Sequence, residues 1–151
     1  MNKIKNYTLL FFLFFLTNCA YEPVLSNKNH KFSININTIN GDQKINSIIV
    51  NNLKNLNGEE KYNLVVSSNK EKNIISKDSK GDPSIFELKI RVNYIVNKDG
   101  ENLIDNKINR KITYNNIADK FELENYEKTM IVNLSTNISD KIITSISEIN
   151  E

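Results

Sequence analysis

At 151 residues the chain has the length of one domain, enough to bury a modest core. Hydrophobic residues make up 39% and charged residues 25%, a globular composition that excludes a disordered chain. Residues 1–18 hold Lys3 and Lys5 and no acid, so from Cys19 onward 18 acidic residues face an equal number of basic ones. That balance argues against strong nucleic-acid binding, which wants a basic excess.

The chain opens on a basic stretch, residues 1–6, followed by YTLLFFLFFL at 7–16. About ten apolar residues are far short of the roughly 20 that span a bilayer, whereas a basic segment before a 7–15-residue apolar run is a secretory signal. The end of that run, Leu16-Thr17-Asn18-Cys19, resembles a bacterial lipobox, in which Leu stands three residues before an obligatory Cys. Asn18 occupies a position where the pattern usually has Gly, Ala or Ser. The resemblance implies that residues 1–18 are a lipoprotein signal peptide, removed after a diacylglyceryl group is attached to Cys19. Acylation of the new N-terminus, with palmitate for example, would complete the anchor. Ala20 follows where an inner-membrane retention signal would place Asp, which implies delivery to the outer membrane. Several acyl chains, at roughly 0.8 kcal/mol per buried methylene, make such an anchor stable.

Residues 19–30 carry Pro23 and no hydrophobic period and read as a lipidated tether, leaving 31–151 as the folded domain. Phe32, Ile34 and Ile36 alternate with polar residues and predict a half-buried strand. Asp42 is placed to cap a helix carrying Ile45, Ile48, Ile49, Leu53 and Leu56 on one face, with Gly58 as its stop. Tyr62, Leu64 and Val66 alternate as a second strand, and the Lys-, Ser- and Asn-rich stretch from Ser67 to Pro83 predicts a long mobile loop. In SIFELKIRVNYIV, residues 84–96, Phe86, Leu88, Ile90, Val92, Tyr94 and Val96 point one way, and Glu87, Lys89 and Arg91 the other. Lys98-Asp99-Gly100-Glu101 has the Asp-Gly pair of a tight hairpin turn. A fourth strand follows from about Leu103 to Tyr114, where Arg110 interrupts the apolar set and predicts a bulge or an edge position. A long amphipathic helix closes the chain, with Leu123, Tyr126, Met130, Leu134, Ile138, Ile142, Ile146 and Ile149 recurring every three or four residues. The order β-α-β-β-β-α predicts an α+β two-layer sandwich: a four-stranded, mostly antiparallel sheet packed against two helices.

The motifs of common enzyme sites are missing: no P-loop, GxGxxG, HExxH or GxSxG occurs. With one His and one Cys in 151 residues, the expectation is no enzyme, no cofactor and no metal site. What stands out is the outward face of the hairpin, where Lys89 and Arg91 would lie near Lys107 and Lys111. That face is either a solvated sheet surface or a patch for an anionic amphiphile or acidic partner.

Three features together resemble the lipopolysaccharide-assembly lipoprotein family LptE. They are the lipobox Cys followed closely by an aromatic, the β-α-β-β-β-α order, and the terminal stretch ITYNNIADKFELENYEKTMIVNLSTNISDKIITSI. The long strand SIFELKIRVNYIV also resembles the family's central strand. The resemblance implies a non-catalytic outer-membrane lipoprotein that plugs the LptD barrel and assists delivery of lipopolysaccharide. It also implies basic contacts before the long strand, here Lys77 and Lys80, and before the last helix, here Lys120. The alternative is an accessory lipoprotein of a lipid-transporting ABC system. A periplasmic enzyme, the third reading, would instead need a deep polar pocket with perturbed carboxylates.

Overall fold

The computed structural model describes residues 30–149; the predicted signal peptide, Cys19 and the tether up to residue 29 lie outside the described residues. Six elements follow in order: β1 (Phe32–Gly41), α1 (Gln43–Leu53), β2 (Glu60–Lys77), β3 (Pro83–Lys98), β4 (Glu101–Asn115) and α2 (Lys120–Ser147). The strands form one sheet in the order β1-β2-β3-β4. β1 and β2 run parallel, joined by α1 as the crossover that a parallel pair requires, while β2–β3 and β3–β4 are antiparallel. This is the two-layer α+β sandwich that the hydrophobic periods predict.

Local chemistry explains most of the corners. The Asp42 carboxylate accepts from the N–H groups of Lys44 and Ile45 at 3.1 Å, starting α1 directly after β1. Gly41 has φ +98°, and a Cβ there would lie 1.8 Å from the Ser68 carbonyl oxygen, so only glycine lets β1 turn against β2. Asp99 and Gly100 both have positive φ, as a tight two-residue hairpin demands. Gly58 has a different role from the predicted helix stop. α1 already ends at Leu53, and a Cβ on Gly58 would lie 1.9 Å from the backbone of Lys31 and Phe32. The missing side chain lets the loop press onto the start of β1, where the Gly58 N–H donates to the Phe32 carbonyl at 3.0 Å.

The core lies between the sheet and the helices. All six predicted inward residues of β3, from Phe86 to Val96, are buried, as are Tyr62, Leu64 and Val66 of β2. From above come Ile45, Ile49 and Leu53 of α1, and Ile138, Ile142 and Ile146 of α2. Each such side chain, removed fully from water, stabilises the fold by about 2 kcal/mol. Ser135 and Ser139 are fully buried as well, and their small size lets α1 approach α2 until Asn52 donates to the Ser139 hydroxyl at 3.3 Å. No helix among the described residues is long and apolar enough to cross a membrane.

Two local expectations are corrected and a third is met. The stretch predicted as a mobile loop is mostly strand: β2 continues to Lys77, leaving only residues 78–82 as a turn. Its polarity reflects exposure on both faces rather than lack of structure, because β3 supplies ladder partners as far as Lys77↔Pro83. Arg110 takes the edge position, one of its two predicted settings, and the register around it is regular; the shift between β3 and β4 falls at Val96/Asn97. The buried stripe of α2 begins only at Ile131, whereas Tyr126 and Ile149 are exposed.

Candidate functional site

The predicted basic residues separate into two groups, one on the outer sheet face and one at an end of the molecule. On the outer face Lys89 pairs in register with Lys111, Arg91 with Asn109, and Asn93 with Lys107. Acids intervene, however. Arg91 forms an ion pair with Glu71, holding that carboxyl below its usual range, and Lys111 reaches Glu87 at 3.2 Å. Of the four cations, Lys89 and Lys107 alone make no ion pair among the described residues. The geometry therefore matches a solvated, charge-compensated sheet.

The second group lies where the β2–β3 turn meets the start of α2. The Asp78 carboxylate accepts from the N–H groups of Lys80 and Asp82 at 2.9 Å, and its carbonyl accepts from Gly81 at 3.1 Å. This closed turn fixes the backbone between Lys77 and Lys80. Across from it, Asn116 donates through its side chain to the Pro83 carbonyl at 2.9 Å, tying the β4–α2 loop to the start of β3. Asp119 then caps α2 by accepting from Phe121 and Glu122, and Lys120 becomes the first helical residue. Lys77, Lys80 and Lys120 thus share one end of the fold.

That end is also apolar. Ile74 and Ile75 are 50% and 54% exposed, and Phe121 is 73% exposed. An open groove of about 630 Å³ runs beneath the first turns of α2, with Lys72, Phe86, Ile117, Lys120, Leu123 and Glu127 among its lining residues. Its floor is fastened by Glu127, which accepts from the Lys72 ammonium at 2.5 Å and from the Tyr114 hydroxyl at 2.7 Å. Burial, then the hydrogen bond to Glu127 and its charge, push the Tyr114 pKa far up, so the hydroxyl keeps its proton as a donor. Lys72 also sits 4.2 Å from the centroid of the Phe86 ring, and Phe86, Tyr114 and Tyr126 follow one another at 5.7 Å spacings. Glu124 borders the same groove, and Lys128 one turn further along the helix lowers its pKa.

Sequence reasoning missed Ile74, Ile75, Phe121 and the Lys72–Glu127–Tyr114 contact. The adjacent isoleucines in KNIISK were the available signal, since an unstructured polar loop has no use for them. His30 is in ring contact with Phe32 at 5.4 Å, and no group of three or more potential metal ligands occurs among the described residues.

The architecture is that of solved bacterial lipoproteins. The crystal structure of rare lipoprotein B from Shewanella oneidensis aligns with TM-score 0.57 at 15% identity, covering 78% of this chain and all of that one. The solution structure of uncharacterized lipoprotein B from Nitrosomonas europaea aligns with TM-score 0.59 at 13% identity, over 83% of this chain and 91% of that one. A minor lipoprotein from Acinetobacter baumannii aligns with TM-score 0.52 at 12% identity, over 77% and 92%. At these identities the likeness establishes a shared fold. No protein-family model matches the chain, and no curated protein matches its sequence.

Proposed function

We propose that the chain is a non-catalytic lipoprotein of the LptE type. It is anchored through Cys19 on the periplasmic side of the outer membrane, seats in an LptD-like barrel and assists lipopolysaccharide assembly. The observation that carries this reading is the meeting of Lys77, Lys80 and Lys120 with exposed Ile74, Ile75 and Phe121 at one end of the domain. Ammonium groups pair with phosphates, and the neighbouring apolar side chains suit the acyl chains of the same amphiphile. The fold shared with bacterial lipoproteins supports the reading. The groove has no part in bond making here; its Lys72 and Glu127 hold the helix to the sheet.

The test is purification of the tagged full chain from detergent extracts of its native cells. The reading expects a β-barrel protein and lipopolysaccharide in stoichiometric amounts, and Cys19→Ser to abolish labelling by palmitate. Recovery of the periplasmic subunit of a lipid transporter in place of a barrel would replace this reading with the accessory-lipoprotein alternative.

A further inference from the structure

The sheet leaves three stretches of edge without a strand partner among the described residues, and they differ in how they are finished. β1 is broken by a register shift between Ile36 and Thr38, and its Asn40 carbonyl is taken by the Asn46 side chain at 3.0 Å. β4 is closed at mid-strand by its own side chains. The Lys107 N–H donates to Asn106 Oδ1 at 2.7 Å, and Arg110 Nη1 donates to the Asn109 carbonyl at 3.0 Å. Arg110 is itself held by Asn137 of α2, so this cap is braced.

The third stretch is β2 beyond Ser68. Pairing with β1 stops at Gly41↔Ser68, where the Ser68 carbonyl accepts from the Asp42 N–H. The β2–β3 register is regular from Asn63 to Ile74, so the alternation of a strand points the N–H and C=O of residues 70, 72 and 74 to the same open side. Lysines commonly guard such an edge. Here Lys70 is drawn to Asp42 at 3.1 Å and Lys72 to Glu127, so both guards are held over the helix side. Ile74 and Ile75 stand exposed where the stretch ends at the bulge. Just past them Lys77 and Lys80 make no ion pair among the described residues.

We infer that the β2 edge from Asn69 to Ile74 is a docking site for an extended segment of a partner polypeptide, one carrying two adjacent apolar residues flanked by acids. Strand addition satisfies the six open backbone groups of residues 70, 72 and 74. Ile74 and Ile75 both stand exposed where this edge ends, and two adjacent apolar residues of the partner cover them. The acids answer Lys77 and Lys80. This inference stands apart from the lipopolysaccharide reading, and its test contains no lipopolysaccharide, so either fails without the other.

The test is amide hydrogen exchange on the full chain in detergent micelles. The probe is an eight-residue synthetic peptide with Val-Val at its centre and Asp at both ends. The inference predicts that the probe slows exchange at Lys70, Lys72 and Ile74 about tenfold or more, and that the same peptide with Lys at both ends does not. Ile74→Pro removes an outward N–H without removing a β2–β3 ladder bond and abolishes the slowing. Ile75→Lys weakens it and serves as the variant if the proline chain does not fold. The inference is overturned if the probe leaves these amides unchanged or slows those of β4 instead. It is equally overturned if the three amides are already slow in the free chain, because a second copy or another segment of the chain then occupies the edge.

Discussion

Glu127 joins the sheet to the first half of α2, and its removal has a cost that the geometry apportions. In Glu127→Ala the buried Tyr114 hydroxyl loses its acceptor at 2.7 Å, and a buried donor left unsatisfied costs about 1–3 kcal/mol. The Lys72 side chain is 39% exposed and returns to water, so the lost ion pair adds no more than about 0.5 kcal/mol. The sum is about 2 kcal/mol, which lowers Tm by about 8 °C in a domain of this size. Glu127→Gln keeps an acceptor for the hydroxyl and loses only the charge, for about 0.5 kcal/mol. In a Tyr114→Phe background no hydroxyl remains to be stranded, so Glu127→Ala costs about 0.5 kcal/mol there. Urea unfolding of the four chains of this cycle, followed by near-ultraviolet circular dichroism, measures the coupling. A coupling energy near 1 kcal/mol or more supports the account; strict additivity within about 0.3 kcal/mol refutes it.

Burial alone would raise the Asp42 pKa, but hydrogen bonds from the Ile45 and Lys44 amides and the Lys70 ammonium hold it below its ordinary value. A carboxyl lowered by folding stabilises the fold above its unfolded pKa, and that contribution is lost as pH falls below about 4. Asp42→Asn keeps the cap but cannot titrate, so its Tm should fall less than the parent's between pH 5 and pH 3; equal slopes would contradict the assignment. Asp140 is the opposite case, raised by burial, so its ionised form opposes folding once pH rises past its unfolded value. Asp140→Asn therefore raises Tm modestly at pH 7 and leaves it unchanged at pH 3, by differential scanning calorimetry. Gly58→Ala sets a Cβ 1.9 Å from the Lys31 and Phe32 backbone and costs about 3 kcal/mol in urea unfolding, whereas a loss below about 0.5 kcal/mol would show that the loop yields.

The elements with one wet and one dry face were legible in the sequence. β3 shows a strict period of two because the helices cover one face along its whole length, burying Phe86 through Val96. The distal half of β2 gave no such signal. Its helix-side residues Lys70, Lys72 and Ile74 are all exposed and two of them are charged, so the stretch resembles a loop. α2 is covered as poorly in its first turns, where Phe121 and Tyr126 are exposed and the buried stripe has not yet begun. Those poorly covered regions meet at the candidate site. Lys120 is distant in sequence from Lys77 and Lys80, and the β3–β4 ladder together with the bonds of Asn116 to Pro83 and Ser84 brings them to one end. On the outer face Glu87 already shares the period of Lys89 and Arg91 in the sequence, whereas the pairing of Glu71 with Arg91 is visible only once the β2 register is known.

The central claim is that lipopolysaccharide meets this domain at the end formed by the β2–β3 turn and the start of α2. Site-specific photo-crosslinking in living cells tests it directly, with the photoreactive residue placed at Lys80 in one strain and at Lys89 on the outer sheet face in another. The account predicts a lipopolysaccharide adduct from position 80 and none from position 89. Adducts from position 89, or from neither position, would contradict it.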